Sequence, residues 1–278
     1  EEPYSTTLQQ VGVEILYGPG NQAGIWDWLT KNKDEIDFAY LNRPHIAIKY
    51  IDFIKKNTNI KVIYYGHDLH FLREYREYEL TGDIKKKRES DYWKSIEFSL
   101  MEKAAVSYYP SYVEEEAIHA IHPEYKIRAI TAYVYEKFLE NIDKDFEKRE
   151  GLLFVGGFAH PPNADAVLWF AKEIFPLIRQ RIDVNFYVVG SKVTDEIKAL
   201  EQPGSGIIVK GFVTEEELAS LYSTSRIVVV PLRYGAGVKG KVVEAVYNGC
   251  HRHHIYRFRG NPGGGSRHEG CRRTGGIR

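Results

Sequence analysis

Short runs of consecutive apolar residues alternate along this chain with stretches in which apolar residues return every three or four positions. The runs read as buried strands and the periodic stretches as amphipathic helices, an alternation that belongs to a parallel sheet covered by helices. In order, 11–17 is expected as a strand, 25–32 as a short helix, 37–41 as a strand, 44–56 as an amphipathic helix and 61–65 as a strand ending at Gly66-His67-Asp68. A charged helix over 85–103, a strand over 105–109, a helix over 112–121 and a strand over 127–130 complete this series.

A charged connector (Lys144, Asp145, Glu147, Lys148, Arg149, Glu150) interrupts the rhythm, and a second αβ series follows it. Strands are expected at 152–155, 185–189, 207–209 and 227–232, and helices at 163–179 and 239–247. Thr214 and Glu217 stand three apart, as an N-cap and its capping-box partner do. The pattern divides the chain into an N-terminal domain over 1–148, a second over 149–249 and a tail over 250–278.

The tail differs in kind. Its seven arginines and one glutamate give it +6, so the 278-residue chain of zero formal charge has a body of −6. Both cysteines, Cys250 and Cys271, lie there, beside His251, His253 and His254. Their spacing does not pair ligands as structural zinc sites do. A basic arm for nucleic acid is the other reading of such charge. The preferred account is a reading frame displaced by one nucleotide near Gly249. Compatible codons read one base later yield G-V-A-I-V-T-T-S-I-G-S-E-G-I-P-E-V-E-A-V, which restores a strand and a turn. The chain is expected to be incomplete at both ends.

A cysteine-free body suits a reducing compartment and a cytoplasmic location, with peripheral membrane association open. No apolar run reaches the ~20 residues of a membrane span. The acidic body argues against nucleic-acid binding.

The most informative run is Pro231-Leu232-Arg233-Tyr234-Gly235-Ala236-Gly237-Val238-Lys239-Gly240-Lys241-Val242-Val243-Glu244-Ala245. A buried strand delivers the chain to a glycine turn, and the turn feeds a helix with lysines at its start. Gly235 and Gly237 allow close approach of a ligand, and the helix N-terminus offers unpaired N–H groups and a positive dipole end. Lys239 and Lys241 add full charges, each attracting a phosphate by about 4 kcal/mol before desolvation at ~4 Å and an effective dielectric of 20. That combination suits a diphosphate. Glu244, further along the helix, suits paired sugar hydroxyls. A second run, Phe154-Val155-Gly156-Gly157-Phe158-Ala159-His160-Pro161-Pro162-Asn163, is again strand, glycine turn and helix start, with Asn163 expected as N-cap. Asp143-Lys144-Asp145 has the form of a D-x-D metal motif but sits in the connector and reads as solvated linker.

These runs, with V-G-S at 189–191 and G-F-V at 211–213, resemble the glycosyltransferase group 1 family over 151–249. The N-terminal part resembles its acceptor-side domain more loosely, through Tyr64-Tyr65-Gly66-His67-Asp68-Leu69-His70-Phe71 and Ser111-x-x-Glu114. The resemblance implies an α/β GT-B fold, two Rossmann-like domains facing across a cleft, both truncated here. It implies sugar transfer from a nucleoside-diphosphate sugar, with no metal or other cofactor, to a glycan, lipid-linked or protein acceptor. Carried over by position, Gly156, Gly157 and Phe158 would line the donor cleft, and Gly211, Phe212 and Val213 would lie beside the base. Gly235 and Gly237 would approach the sugar, Lys239 and Lys241 would hold the diphosphate, and Glu244 the ribose. His67 and Asp68 would be the catalytic pair, His67 facing the transferred sugar and Asp68 orienting or charging it. Two positions depart from the family: Ala236 stands where many members carry a glutamate that meets the donor sugar, and Ala105 where many carry Asp. Ala236 keeps a non-catalytic sugar-nucleotide-binding domain open as an alternative, and a GT-B-like epimerase is a third reading.

Overall fold

The computed structural model describes residues 4–16, 19–135, 146–249 and 255–257. Two compact units divide the chain, one drawn from Glu1–Leu69 and Trp93–Thr131, the other from His70–Tyr92 and Ala132–Arg278. The second unit therefore takes in 70–92, a stretch that precedes the connector by some fifty residues.

The first unit opens with helices α1 (Tyr4–Gln10) and α2 (Pro19–Asn32), then strand β1 (Phe38–Asn42), helix α3 (Pro44–Asn57) and strand β2 (Lys61–Tyr65). Helices α4 (His70–Thr81) and α5 (Ile84–Lys103) follow, the chain returning to the first unit within α5. Strand β3 (Val106–Tyr109), helix α6 (Tyr112–His119) and strand β4 (Ile127–Ala129) complete the sheet, which is all parallel in the order β1-β2-β3-β4. Ala47, Ile51 and Ile54 of α3 are buried, as are Val62, Tyr64, Leu100, Tyr109, Ile118 and Ile127.

The strand expected over 11–17 does not form. Residues 11–16 hold a turn and extended chain with no sheet partner, and Val11 is 74% exposed. Apolar residues alone do not make a strand where no neighbour takes up the backbone hydrogen bonds. Helix α4 escapes the apolar periodicity because its buried side carries Glu74 beside His70 and Phe71. Lys86 Nζ meets Glu74 Oε2 at 3.0 Å and makes that burial tolerable, holding the carboxyl pKa below its usual value against the opposing effect of desolvation.

The second unit continues with β5 (Leu152–Val155), α7 (Pro161–Trp169), a π-helical turn (Phe170–Ile174), α8 (Phe175–Arg179) and β6 (Phe186–Val189). Then come α9 (Asp195–Lys198), β7 (Ile207–Gly211), α10 (Glu215–Thr224), β8 (Ile227–Val230), α11 (Gly240–Tyr247) and β9 (Ile255–Arg257). The helix expected over 163–179 is broken by the π turn, in which Phe175 N donates to Phe170 O. Pro176 lacks the N–H that an unbroken α-helix needs there, and a single π turn absorbs the mismatch. Phe154, Val167, Phe170, Phe175, Phe186, Val188 and Val228 form one buried core. Thr214 caps α10 as its spacing predicts, its hydroxyl accepting from Glu217 N.

This sheet is also parallel, in the order β7-β6-β5-β8-β9. The chain winds outward from β5 to β7, then returns to lay β8 on the other flank of β5. The order of winding therefore reverses between β5 and β8, and open parallel sheets hold ligands beyond the strand ends at such a reversal. The last strand corrects the sequence reading, in which regular structure stops at 250: Ile255–Arg257 pairs with Val228–Val230. The remainder of the tail, including Cys250, His251, His253, His254 and Cys271, lies outside the described residues, as does Asp143-Lys144-Asp145.

Candidate functional site

The reversal brings the two glycine runs together, since Gly156-Gly157 leaves β5 and Pro231–Gly237 leaves β8. Asn163 joins them. Its Nδ2 donates to Gly157 O at 2.8 Å and its Oδ1 accepts from Lys241 Nζ at 2.7 Å. Asn163 is therefore not the N-cap expected from sequence. His160 is, because the proline pair starts α7 at Pro161 and leaves Asn163 in the first turn with its side chain buried. Gly156 follows from this placement: a Cβ there would stand 2.9 Å from Asn163 Nδ2.

Lys241 lies in the first turn of α11, its ammonium also 4.9 Å from the centre of the Phe154 ring. Its pKa falls to about 8, chiefly through burial and then through the charge of Lys239, with Glu244 opposing. Lys239, the N-cap residue of α11, folds back so that Nζ donates to Ala236 O at 2.5 Å. The turn between is left-handed at Gly237 (φ 72°) and unfavourable for any side chain at Gly235 (φ 133°). The two lysines thus stand where a glycine turn runs into a helix N-terminus.

Arginine contacts fix that turn. Arg233 forms a bidentate pair with Asp165 of α7, with Nε 2.9 Å from Oδ2. Arg76 of α4 donates from Nη1 to Gly235 O at 2.6 Å. Tyr234, next along the chain from Arg233, is buried, and desolvation followed by the nearby Glu77 charge raises its phenol pKa.

Glu244 accepts from the buried Tyr222 hydroxyl at 3.0 Å, which aims the carboxylate while leaving acceptor capacity. The carboxylate also raises the pKa of the Tyr133 phenol, after burial, and the Tyr133 ring occupies the space a Cβ on Gly240 would need. Asn163, Tyr222, Arg76 and Tyr133 carry no local signal that marks them for this site. Only the H-P-P-N run hints at one of them, and it reads as a helix cap.

The other site residues fall elsewhere. Phe158 is 4% exposed and stacks 6.1 Å from Phe154, so its ring belongs to the core and only its backbone faces the turn. Gly211 is left-handed at the end of β7, two strands out from β5, and its carbonyl accepts from Gly190 N at 2.8 Å. Phe212 beside it is 82% exposed, and Val213 packs against the core.

In the first unit, Asn42 ends β1 opposite Tyr65 of β2, and His67 Nε2 lies 2.5 Å from Asn42 Oδ1. His67 and Arg43 both adopt left-handed backbone (φ 65° and 67°), an uncommon state for residues with a side chain. Burial and the Arg43 charge lower the His67 pKa, and Asp68 opposes them only in part. Asn42 thus holds the ring, Asp68 acts on it through its charge, and the net shift favours the uncharged imidazole. Leu69 N donates to the buried Glu114 Oε1 at 2.9 Å, which anchors the loop after His67. Among the described residues no three His, Cys, Asp or Glu side chains gather as metal ligands, and no helix is long and apolar enough to cross a membrane.

Two parallel α/β sheets, the second reversing beside a glycine-and-lysine turn, define a fold of the GT-B glycosyltransferase type. Solved structures share it. The pneumococcal O-GlcNAc transferase GtfA, in complex with UDP and GlcNAc, aligns at TM-score 0.54 with 17% identity, over 85% of this chain and 45% of its own. The Burkholderia xenovorans trehalose-phosphate synthase aligns at TM-score 0.53 with 12% identity, over 84% of this chain and 62% of its own. The lipopolysaccharide outer core galactosyltransferase WaaB aligns at 0.52 with 11% identity, over 86% and 61%.

Residues 149–251 match the family model for Glycosyl transferases group 1, the segment that carries β5 through α11. A Klebsiella pneumoniae protein described as an uncharacterized 44.6 kDa protein in the cps region is 28% identical over 103 residues, 35% of this chain and 26% of that protein. The chain thus spans only part of the length of the proteins it matches.

Proposed function

We propose that this chain is the core of a glycosyltransferase that moves a sugar from a nucleoside-diphosphate sugar to an acceptor hydroxyl in polysaccharide or glycoconjugate synthesis. The observation that carries the reading is the grip at the β5/β8 reversal: two glycine turns, Lys239, Lys241 and the N-terminus of α11, tied together through Asn163. Breaking the bond between the sugar and the diphosphate leaves new negative charge on the leaving phosphate. Preorganised cations and N–H dipoles stabilise such charge without having to reorient during the reaction. Glu244, aimed by Tyr222, accepts hydrogen bonds from the ribose. We assign His67, its ring held by Asn42, to handling of the acceptor. The UDP and GlcNAc held by GtfA, and the cps-region setting of the Klebsiella relative, agree with this reading.

The test is calorimetric titration with UDP, GDP and ADP, followed by turnover assays with the corresponding sugar nucleotides. Binding of one diphosphate in the micromolar range is expected, and failure of all three to bind would end the proposal.

Ala236 favours a second reading, a sugar-nucleotide-binding domain without transfer activity. Donor binding with neither transfer nor hydrolysis, in a protein extended to the full length of its relatives, would select it.

A further inference from the structure

The loop that presents the diphosphate grip is held from outside the second sheet. Helix α4 lies between β2 and β3 in sequence, yet 70–92 belongs to the second unit. Its Arg76 reaches the carbonyl of Gly235, a residue 159 positions away. A charged donor on a peptide carbonyl makes one of the stronger hydrogen bonds available to a loop.

The target of this bond matters. Gly235 has φ 133°, so its peptide orientation is one few residues adopt unaided. The next carbonyl, Ala236 O, accepts from Lys239, and Lys239 is the N-cap residue of the helix that carries Lys241. A rotation of the Gly235 peptide therefore moves both amines. Arg233 cannot substitute for Arg76, because its guanidinium is committed to Asp165 upstream of the glycines. Helix α4 is itself made rigid by the Glu74, Glu77 and Lys86 cluster and by Ser90, whose hydroxyl donates to Phe71 O at 2.8 Å.

We propose that Arg76 is a positioning residue for the donor diphosphate, acting through the Gly235 carbonyl and without touching the ligand. The inference rests on the donor-grip reading above and adds a control point to it. A segment between two strands of the first sheet sets the geometry of the nucleotide loop.

The experiment is titration of UDP and inorganic pyrophosphate into the wild-type chain, Arg76→Met and Arg76→Lys, at 50 and 500 mM salt. Arg76→Met keeps the apolar stem and loses the donor, and its dissociation constant for both ligands is expected to rise roughly tenfold. Arg76→Lys restores a donor and should recover most of that loss. The tenfold ratio should be the same at both salt concentrations, since a neutral carbonyl is the partner. If wild type binds neither ligand, the donor grip is wrong and Arg76 has nothing to position. If wild type binds and Arg76→Met binds equally well, the grip stands and the positioning role fails. A loss confined to low salt would mean direct contact between Arg76 and phosphate, and would also overturn it. Should Arg76→Met lose its cooperative thermal transition, Arg76→Gln, which keeps a shorter polar side chain, takes its place under the same criteria.

Discussion

Asn163 and Lys241 stand 78 positions apart in sequence and are joined by a 2.7 Å hydrogen bond across the β5/β8 reversal. The other end of the same amide holds Gly157 O, so one buried side chain sets the spacing between the two glycine turns. Asn163→Ala removes both bonds and leaves a buried ammonium short of a partner, at a cost of about 2–3 kcal/mol in stability by urea unfolding. Asn163→Asp keeps the shape but sets a carboxylate against the amine. It also sets an acceptor against Gly157 O, so some stability is lost, and UDP should bind at least tenfold more weakly because the lysine charge is already neutralised. UDP binding by Asn163→Asp at wild-type strength would show that Lys241 does not meet phosphate.

Lys241 titrates near 8 instead of in the usual lysine range, because burial and Lys239 both disfavour its charge. In folding terms the sign is that of a depressed group: stability is greatest above the unfolded pKa and falls as pH drops through about 8. On the proposed donor grip, ligand binding runs the other way, since a diphosphate would pair with the ammonium. UDP affinity should therefore decline from pH 7 to pH 9.5, and binding near pH 8 should take up a proton, visible as a buffer-dependent binding enthalpy. Lys241→Arg, which keeps its charge over that interval, should flatten the profile.

Tyr222 donates to Glu244, so the carboxylate that the proposed function assigns to the ribose is oriented in advance. Glu244→Ala should weaken UDP binding by about tenfold to a hundredfold while leaving inorganic pyrophosphate unchanged. Tyr222→Phe should give a smaller loss in the same direction. Equal losses for both ligands would place Glu244 in the scaffold of the site and away from the sugar.

Gly190 lies against the Gly156 carbonyl, with no room for a Cβ. Gly190→Ala should cost roughly 1–3 kcal/mol through this clash. UDP affinity should fall with stability, since the β5 turn must shift to make space. Thermal unfolding and titration of the same sample would check both.

His67 sits in left-handed backbone, which asparagine tolerates better than most residues. His67→Asn should therefore fold and bind UDP within twofold of wild type, while sugar transfer falls about a hundredfold, in the range seen for loss of a positioned acid–base group. Unchanged transfer would remove His67 from the reaction.

The fold class is legible in the sequence because buried strands need unbroken apolar runs whatever surrounds them. Lys61–Tyr65 and Leu152–Val155 form where the apolar pattern puts them. The glycine-and-lysine run at 235–241 is legible for a similar reason: positive φ and a helix start are local demands, met by local residues. Helix α4 is not, because the burial of Glu74 depends on Lys86, twelve positions on, as well as on neighbouring Arg73. Nor is the strand at 255–257, whose three residues gain order from β8 and carry little signal of their own.

By itself, then, the sequence determined the strands, the glycine turns and the charges near them, since each depends on neighbours within a few residues. Only the tertiary structure decided that β8 returns beside β5, and with it the meeting of Asn163 with Lys241 and of Arg76 with Gly235. Strand order is set by the packing of whole layers, and a hydrogen bond between distant side chains exists only once that packing has brought their backbones together.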